Sequence, residues 1–351
     1  MRVMVVMISH GRCLKFRIRS GGSPSSNWKV KGRAVDFFGP AGGGAPRQRQ
    51  IKAGVLRTLP VRLAKVYLMR CLVINLDRSP DRLAHVSAEF DRIGIAFERV
   101  AAVDALRRPD LSQMPMRIEA SLPWRLADTE IACLLSHRAC WSMIAVGDDT
   151  HVAIFEDDIV FATKAGPLLA DGGWIPADAG IVKLETAFRR ALVGLLGIGA
   201  GHGFSATRLH GLHLGCAGYI VSKQTAVALI DATREIGIPA DHVLFDPEFQ
   251  PRPGWSIYQL SPALCAQLQY LEPGADRLPS LIQPDRETRY PVGAEGKRPR
   301  RSTAARVKRE IGRLLRQLEE LRRLRRPSFV PFDHNGKRIR RPHTQRRENT
   351  L

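Results

Sequence analysis

No two cysteines in this chain stand at C-x-x-C spacing: the six, at 13, 71, 133, 140, 216 and 265, are scattered through 351 residues without a nearby histidine pair. That scatter weighs against a structural zinc site of any kind and offers no disulfide framework, which points to the cytoplasm. Long apolar runs are missing too. The N-terminal VMVVMI stops at His10, Gly11 and Arg12, short of a signal-peptide core, and ALVGLLGIGAGHGF is broken by five glycines, so neither makes a membrane span. The same glycine-rich stretch lacks G-x-G-x-x-G spacing, which excludes a dinucleotide loop and leaves the reading of a flexible loop.

Acidic residues are scarce only locally. Residues 1–70 hold 15 lysines and arginines against one acid, Asp36, and residues 291–351 hold 19 against 6, giving +14 and +13. The middle, 71–290, has 20 bases and 27 acids, giving −7, so the overall +20 belongs to two arms around an acidic domain. A fold that carries nucleic acid on its surface would show the excess on the domain itself, which weighs against nucleic acid as a partner. Residues 1–68, with SGGSPSSN and GPAGGGAP, show no sustained apolar period and are expected to be a mostly disordered basic extension, with Met69 as an alternative start. Residues 291–351 form a basic tail. In it Val307, Ile311, Leu314, Leu318 and Leu321 mark an amphipathic helix over about 303–326, suited to an anionic membrane surface, a short coiled coil or RNA.

What is present begins at Cys71. CLVINL is a continuous apolar strand; Ser79 and Pro80 then open a helix along Leu83, Val86, Phe90 and Ile93 that Gly94 closes. IAFERVAAVDA reads as a second strand, EIACLLSHRACWSMIAV as a strongly apolar helix and HVAIF as a third strand. Alternating strands and helices predict an α/β fold with a mainly parallel sheet, whose ligands bind beyond the carboxyl ends of the strands. Both NLDR and EDD fall at such ends. Glu156 and Asp158, two apart, can point one way while Asp157 points another, and two carboxylates on one side suit a hard divalent cation, Mg²⁺ or Mn²⁺. The plainer reading of the same triplet is a solvated turn.

Six blocks carry a resemblance: VINLDRSPDRL (73–83), FERVAAVDA (97–105), EIACLLSHRACW (130–141), AIFEDD (153–158), GCAGYIVS (215–222) and IPADHVLF (238–245). Their order and spacing resemble those of the family 25 glycosyltransferases of lipopolysaccharide and lipooligosaccharide synthesis. The resemblance covers roughly residues 70–270, and the domain is set at 69–290. It implies a GT-A-like nucleotide-sugar-binding fold, inverting transfer of galactose or glucose from a UDP-sugar to a glycan or lipid-linked glycan, and a metal at the acidic motif. Two positions depart from the family pattern: Ala132, where glycine is common, and Cys216, where threonine or serine is usual.

On that resemblance Asn75, Asp77 and Arg78 contact the nucleotide, although turn chemistry before a helix would place the same residues there. Arg82 reaches phosphate or is merely solvated; His137 is a ligand contact or a satisfied core histidine. Asp157 joins the donor site, and the glycine-rich stretch covers the acceptor. Asp241 occupies the late aspartate position of the general base, with helix capping as its plain alternative and Glu185 and Asp246 as substitutes. The expected enzyme is cytoplasmic and peripheral on the inner membrane face through its tail. The rival reading is a basic nucleic-acid- or membrane-binding protein with a degenerate transferase domain.

Overall fold

The computed structural model describes residues 69–115, 125–246, 256–271, 278 and 319–340, together with the strand backbones of 2–9, 12–19 and 29–36. It divides into two units, Met1–Leu63 and Ala64–Leu351. The first contains β1 (Arg2–Ser9), β2 (Arg12–Arg19) and β3 (Lys29–Asp36), an antiparallel sheet that pairs Val5 with Phe16 and Phe16 with Gly32. These strands lie within the stretch that composition marks as a mostly disordered extension. Composition hid a period of two: Leu14, Phe16 and Ile18 alternate with Lys15, Arg17 and Arg19. The rest of residues 1–68 lies outside the described residues.

The second unit runs β4 (Arg70–Asn75), α1 (Pro80–Ile93), β5 (Glu98–Ala101), α2 (Asp128–Val146), β6 (His151–Glu156), β7 (Ile159–Phe161), α3 (Ala165–Leu169) and β8 (Ala179–Lys183). It continues with β9 (Arg190–Gly201), β10 (Phe204–Leu209), β11 (Gly218–Ser222), α4 (Lys223–Ala232), α5 (Ala240–Phe245), β12 (Ser256–Ser261), β13 (Cys265–Gln267) and α6 (Leu268–Leu271). Near the C-terminus come β14 (Arg325–Phe329), β15 (Phe332–His334) and β16 (Lys337–Ile339). Nine of these strands form one sheet in the order β14-β9-β10-β12-β8-β11-β6-β4-β5.

The sheet is mixed, not mainly parallel. Strand β4 runs parallel to β5 and β6, and β8 to β12, but the other five pairings are antiparallel. Strand–helix alternation holds only as far as β6. Beyond it, β11 inserts antiparallel between β6 and β8, and a hairpin extends the far edge.

The interior follows the apolar runs. Val152, Ala153, Ile154 and Phe155 of β6 are fully buried, as a central strand covered on both faces requires. Helix α1 lays Val86 and Phe90 on the sheet, where the Phe90 ring meets Phe155 and Phe161 edge-on at 5.7 and 4.9 Å. Its left-handed C-cap, Gly94 at φ 71°, is where the glycine was expected. Helix α2 begins with Glu130 reaching back to accept from the Ala127 N–H at 3.0 Å, and it buries Ile131, Leu134, Trp141 and Ile144.

Two further expectations are corrected. The glycine-rich stretch is the β9–β10 hairpin, turned at His202 and Gly203, because its glycines are interleaved with Leu195, Leu196 and Ile198 and leave the backbone free to pair. The C-terminal tail is not wholly an arm. Strand β14 completes the sheet edge against β9, Val330 and Phe332 are buried, the Thr186 hydroxyl donates to the Val330 carbonyl at 3.1 Å, and the Ala263 N–H donates to that of Pro331 at 2.7 Å. A domain ending at 290 therefore ends too early. Of the amphipathic helix only its end, 319–322, is described, with Leu321 exposed; most of the stripe lies outside the described residues. No helix among the described residues is long and apolar enough to cross a membrane.

Candidate active site

The carboxyl ends of β4 and β6 lie side by side, and antiparallel β11 brings the residues before it, Gly215 to Ala217, against the end of β6: the Glu156 N–H donates to the Ala217 carbonyl at 2.9 Å. Three segments far apart in sequence thus meet at one edge. Strand β6 stops at Glu156, and Asp157 and Asp158 turn away from it.

Asp157 is buried and braced: it accepts from Asn75 Nδ2 at 2.7 Å and from Arg82 Nε at 2.7 Å. The Arg82 guanidinium also reaches Asp158 at 3.1 Å. Arg82 is thus an internal counter-ion to two carboxylates and not a solvated side chain. The sequence contained a sign of this, since Arg82, Val86 and Phe90 form one inward stripe at four-residue spacing. Asn75 Oδ1 accepts from Arg99 Nε at 2.9 Å, and Arg99 also pairs with exposed Asp77, holding that carboxyl below its ordinary value. Arg78 turns to Asp104 at 3.0 Å. Asn75, Arg82, His137, Glu156, Asp157 and Asp158 therefore form one connected cluster, whereas Asp77 and Arg78 occupy its rim.

Glu156 and Asp158 converge on a residue that sequence reasoning missed. Gln267 Nε2 lies 3.4 Å from Glu156 Oε2 and 3.4 Å from both oxygens of Asp158. Its position follows from the pairing of β13 with β7, which sets Gln267 opposite Ile159 and leaves no local trace in the chain. Burial, together with the Glu156 charge, pushes the Asp158 carboxyl up to about 7 against the opposing pull of Arg82. Two oxygen donors aimed at one point, where a long amide contact now stands, suit a hard divalent cation better than they suit each other.

On its other side Glu156 faces sulfur and imidazole. Its Oε1 lies 3.5 Å from His137 Nε2 and 3.4 Å from Cys216 Sγ, and Cys216 Sγ lies 3.5 Å from His137 Nε2. Cys133, one turn before His137 on α2, completes a group whose ligand atoms all fall within 4.8 Å of one another. Burial alone would lower the His137 pKa, but the Cys133 and Glu156 contacts outweigh it and raise it to about 10. Burial would likewise raise Glu156, yet hydrogen bonds from His137 and Cys216 leave it below its ordinary value. The other ring nitrogen, His137 Nδ1, meets the Tyr219 hydroxyl at 3.0 Å, which also accepts from Trp141 Nε1 at 2.8 Å.

Asp241 lies in the first turn of α5 and does not cap it, since Pro239 holds the cap position. One carboxylate oxygen accepts from the Gly215 N–H at 3.2 Å and the other from the His242 N–H at 3.0 Å. Gly215, at φ 99°, is pinned between two acids, for a Cβ there would sit 2.6 Å from Glu185 Oε1. Glu185 is fully buried against Lys183 Nζ at 2.9 Å, which also donates to the Gly215 carbonyl. That burial removes Glu185 as a base for an external hydroxyl. Asp246 lies 3.6 Å from His242.

A sequence model of the family described as glycosyltransferase family 25 (LPS biosynthesis protein) matches residues 69–244. The lacto-N-neotetraose biosynthesis glycosyltransferase LgtB of Neisseria meningitidis serogroup B is 30% identical over 277 residues, covering 74% of this chain and 98% of that protein. LgtE of Neisseria gonorrhoeae, of the same description, is 29% identical, covering 70% of this chain and 90% of its own. The lipooligosaccharide biosynthesis protein lic2B of Haemophilus influenzae is 28% identical, covering 61% and 82%.

Proposed function

The chain belongs to glycosyltransferase family 25, and on that premise we propose that it moves a hexose, galactose or glucose, from a UDP-sugar to a lipopolysaccharide-type surface glycan with inversion at the anomeric carbon. The observation that supports this most is the convergence of Glu156 and Asp158 at the carboxyl end of β6, where an open α/β sheet receives its ligand. The proposed domain is GT-A-like, with its nucleotide lying over Asn75, Asp77 and Arg78.

In the proposed mechanism Asn75 and Arg82 fix Asp157, and Arg82 holds Asp158 in place, so the motif is oriented before the donor arrives. Glu156 and Asp158 would hold Mn²⁺ or Mg²⁺, which when bound supplies charge neutralisation for the departing diphosphate. Asp241 takes the proton from the acceptor hydroxyl as its oxygen bonds to the anomeric carbon and the bond to UDP breaks on the opposite face. The Gly215 N–H aims that carboxylate, which ties the base to the loop bearing Cys216.

The test is to incubate the full chain with Mn²⁺, each common UDP-hexose and a delipidated oligosaccharide acceptor, following UDP release and the coupling constant of the new anomeric proton. An α-linked donor should give a β-linked product. No UDP above background with any donor would reject the reading, and an α-linked product would reject inversion and the role of Asp241.

A further inference from the structure

The four side chains Cys133, His137, Glu156 and Cys216 come from a helix, a strand end and a loop, and the mechanism above uses just one oxygen of one of them. We propose that they form a second metal site, distinct from the acidic motif and selective for a thiolate-binding ion of the Zn²⁺ class.

Three of the six edges match those of a tetrahedral set, and the three to Cys133 lie within 4.8 Å. With Zn–S near 2.3 Å and Zn–N or Zn–O near 2.0 Å, ligand atoms lie about 3.3 to 3.8 Å apart. The recorded edges are 3.5 Å for Cys216 Sγ to His137 Nε2, 3.4 Å for Cys216 Sγ to Glu156 Oε1 and 3.5 Å for His137 Nε2 to Glu156 Oε1. Cys133, spaced i, i+4 from His137, supplies the fourth corner from the same helix face. Two thiolates and an imidazole favour zinc over magnesium or manganese, whose preferred donors are oxygens.

The surroundings support it. His137 Nδ1 is turned to the Tyr219 hydroxyl, itself fixed by Trp141, and so Nε2 alone faces the group, as the outer support of a ligating histidine requires. Cys133 remains partly exposed, which gives an ion a way in. Local cysteine spacing shows none of this, because the ligands are assembled by topology: α2 over the sheet, and β11 beside β6. Four protein ligands leave no open position, so such an ion would brace the active-site edge, with Glu156 offering Oε1 to it and Oε2 to the acidic motif.

The probe is Co²⁺ added to the reduced, metal-free full chain. One equivalent should produce the thiolate-to-cobalt charge-transfer band and the strong visible bands of tetrahedral cobalt, and Zn²⁺ should bleach them. C216S and C133S should each lose about half of the charge-transfer intensity, the double variant all of it, and each should weaken binding by more than the roughly 10- to 100-fold that loss of an outer partner costs. D158N should keep the cobalt spectrum while losing Mn²⁺ binding, which separates this site from the acidic motif. The proposal is overturned if the wild type shows no thiolate band, if the band keeps its full intensity in either cysteine variant, or if D158N abolishes it. A mass two hydrogens lower under non-reducing conditions, with both thiols unreactive, would replace it with a Cys133–Cys216 disulfide. Circular dichroism of C216S, a change of one atom, verifies that any loss is not unfolding.

Discussion

In the proposed mechanism single side chains near the β6 edge have separate roles, and their substitution distinguishes them. Asp158→Asn removes one charge from the pair facing Gln267 without changing shape, so it should abolish metal-stimulated UDP release while the far-ultraviolet spectrum stays native; unchanged stimulation would remove Asp158 from the metal. Asp241→Asn keeps the contact with the Gly215 N–H but cannot accept a proton, and a slowing on the order of a hundredfold at unchanged donor affinity is expected. Normal rates would pass the role to Asp246. His213, buried in the loop before β11, is a residue whose pH response can be signed. Burial, with the charges of Lys183 and Arg189, lowers its pKa to about 3, so the folded protein holds it neutral. The unfolded chain takes up a proton below the ordinary histidine pKa, so stability is full above that value and drains away as pH falls towards 3. Between pH 7.5 and 4.5 this contributes about 2 to 3 kcal/mol. His213→Gln should lose that much less than wild type in urea midpoints over the same interval, and parallel curves would show the acid sensitivity to lie elsewhere.

Whole elements decide how those side chains meet. Strand β11 enters antiparallel beside β6 through Gly218, whose missing Cβ leaves room for Cys265 Sγ and the Phe155 ring. Gly218→Ala should therefore cost about 1 to 3 kcal/mol of overpacking, seen as a lower melting temperature, and should depress activity by shifting Glu156. Stability equal to wild type would mean that the two neighbours can move. This element was also where reading from sequence failed. The strand, turn and helix from Cys71 to Gly94 were legible because propensity, cap and apolar period agree there, and EDD could be placed at a strand end because VAIF is a short, fully apolar run. The reversal at β11 was not legible, since a fully buried strand carries no mark of direction. Gln267, Lys183 and the Cys133–Cys216 approach went unseen for the same reason: they are consequences of strand order. In the glycine-rich stretch, missing nucleotide spacing was read as missing structure, and the alternating apolar residues of a hairpin were passed over.

At the scale of the molecule the charge still divides into basic ends and an acidic middle, but the fold redraws the boundary. Strands β14 to β16 lie inside the unit Ala64–Leu351, so the expected contact with an anionic membrane is tested on the basic stretch just before them in sequence. A lysine or arginine beside an anionic leaflet contributes roughly 1 kcal/mol, screened over about 8 Å at physiological salt. Replacing Arg298, Arg300, Arg301, Arg306, Lys308, Arg309, Arg313 and Arg316 by glutamine should lower binding to phosphatidylserine vesicles by on the order of tenfold or more, and leave transfer to a soluble acceptor as it was. Undiminished vesicle binding would direct attention to Met1–Leu63. The placing of β14 also bears on how the protein is made. A ribosome delivers the acidic motif, Asp241 and Cys216 long before it delivers residues 325–329, and until then β9 has no partner on its outer side. Every nascent chain therefore passes through an interval in which the residues of the candidate site are made and its sheet is open, and a message cut short by one late stop codon would leave it there, with a pairing edge exposed to chaperones and to its own copies.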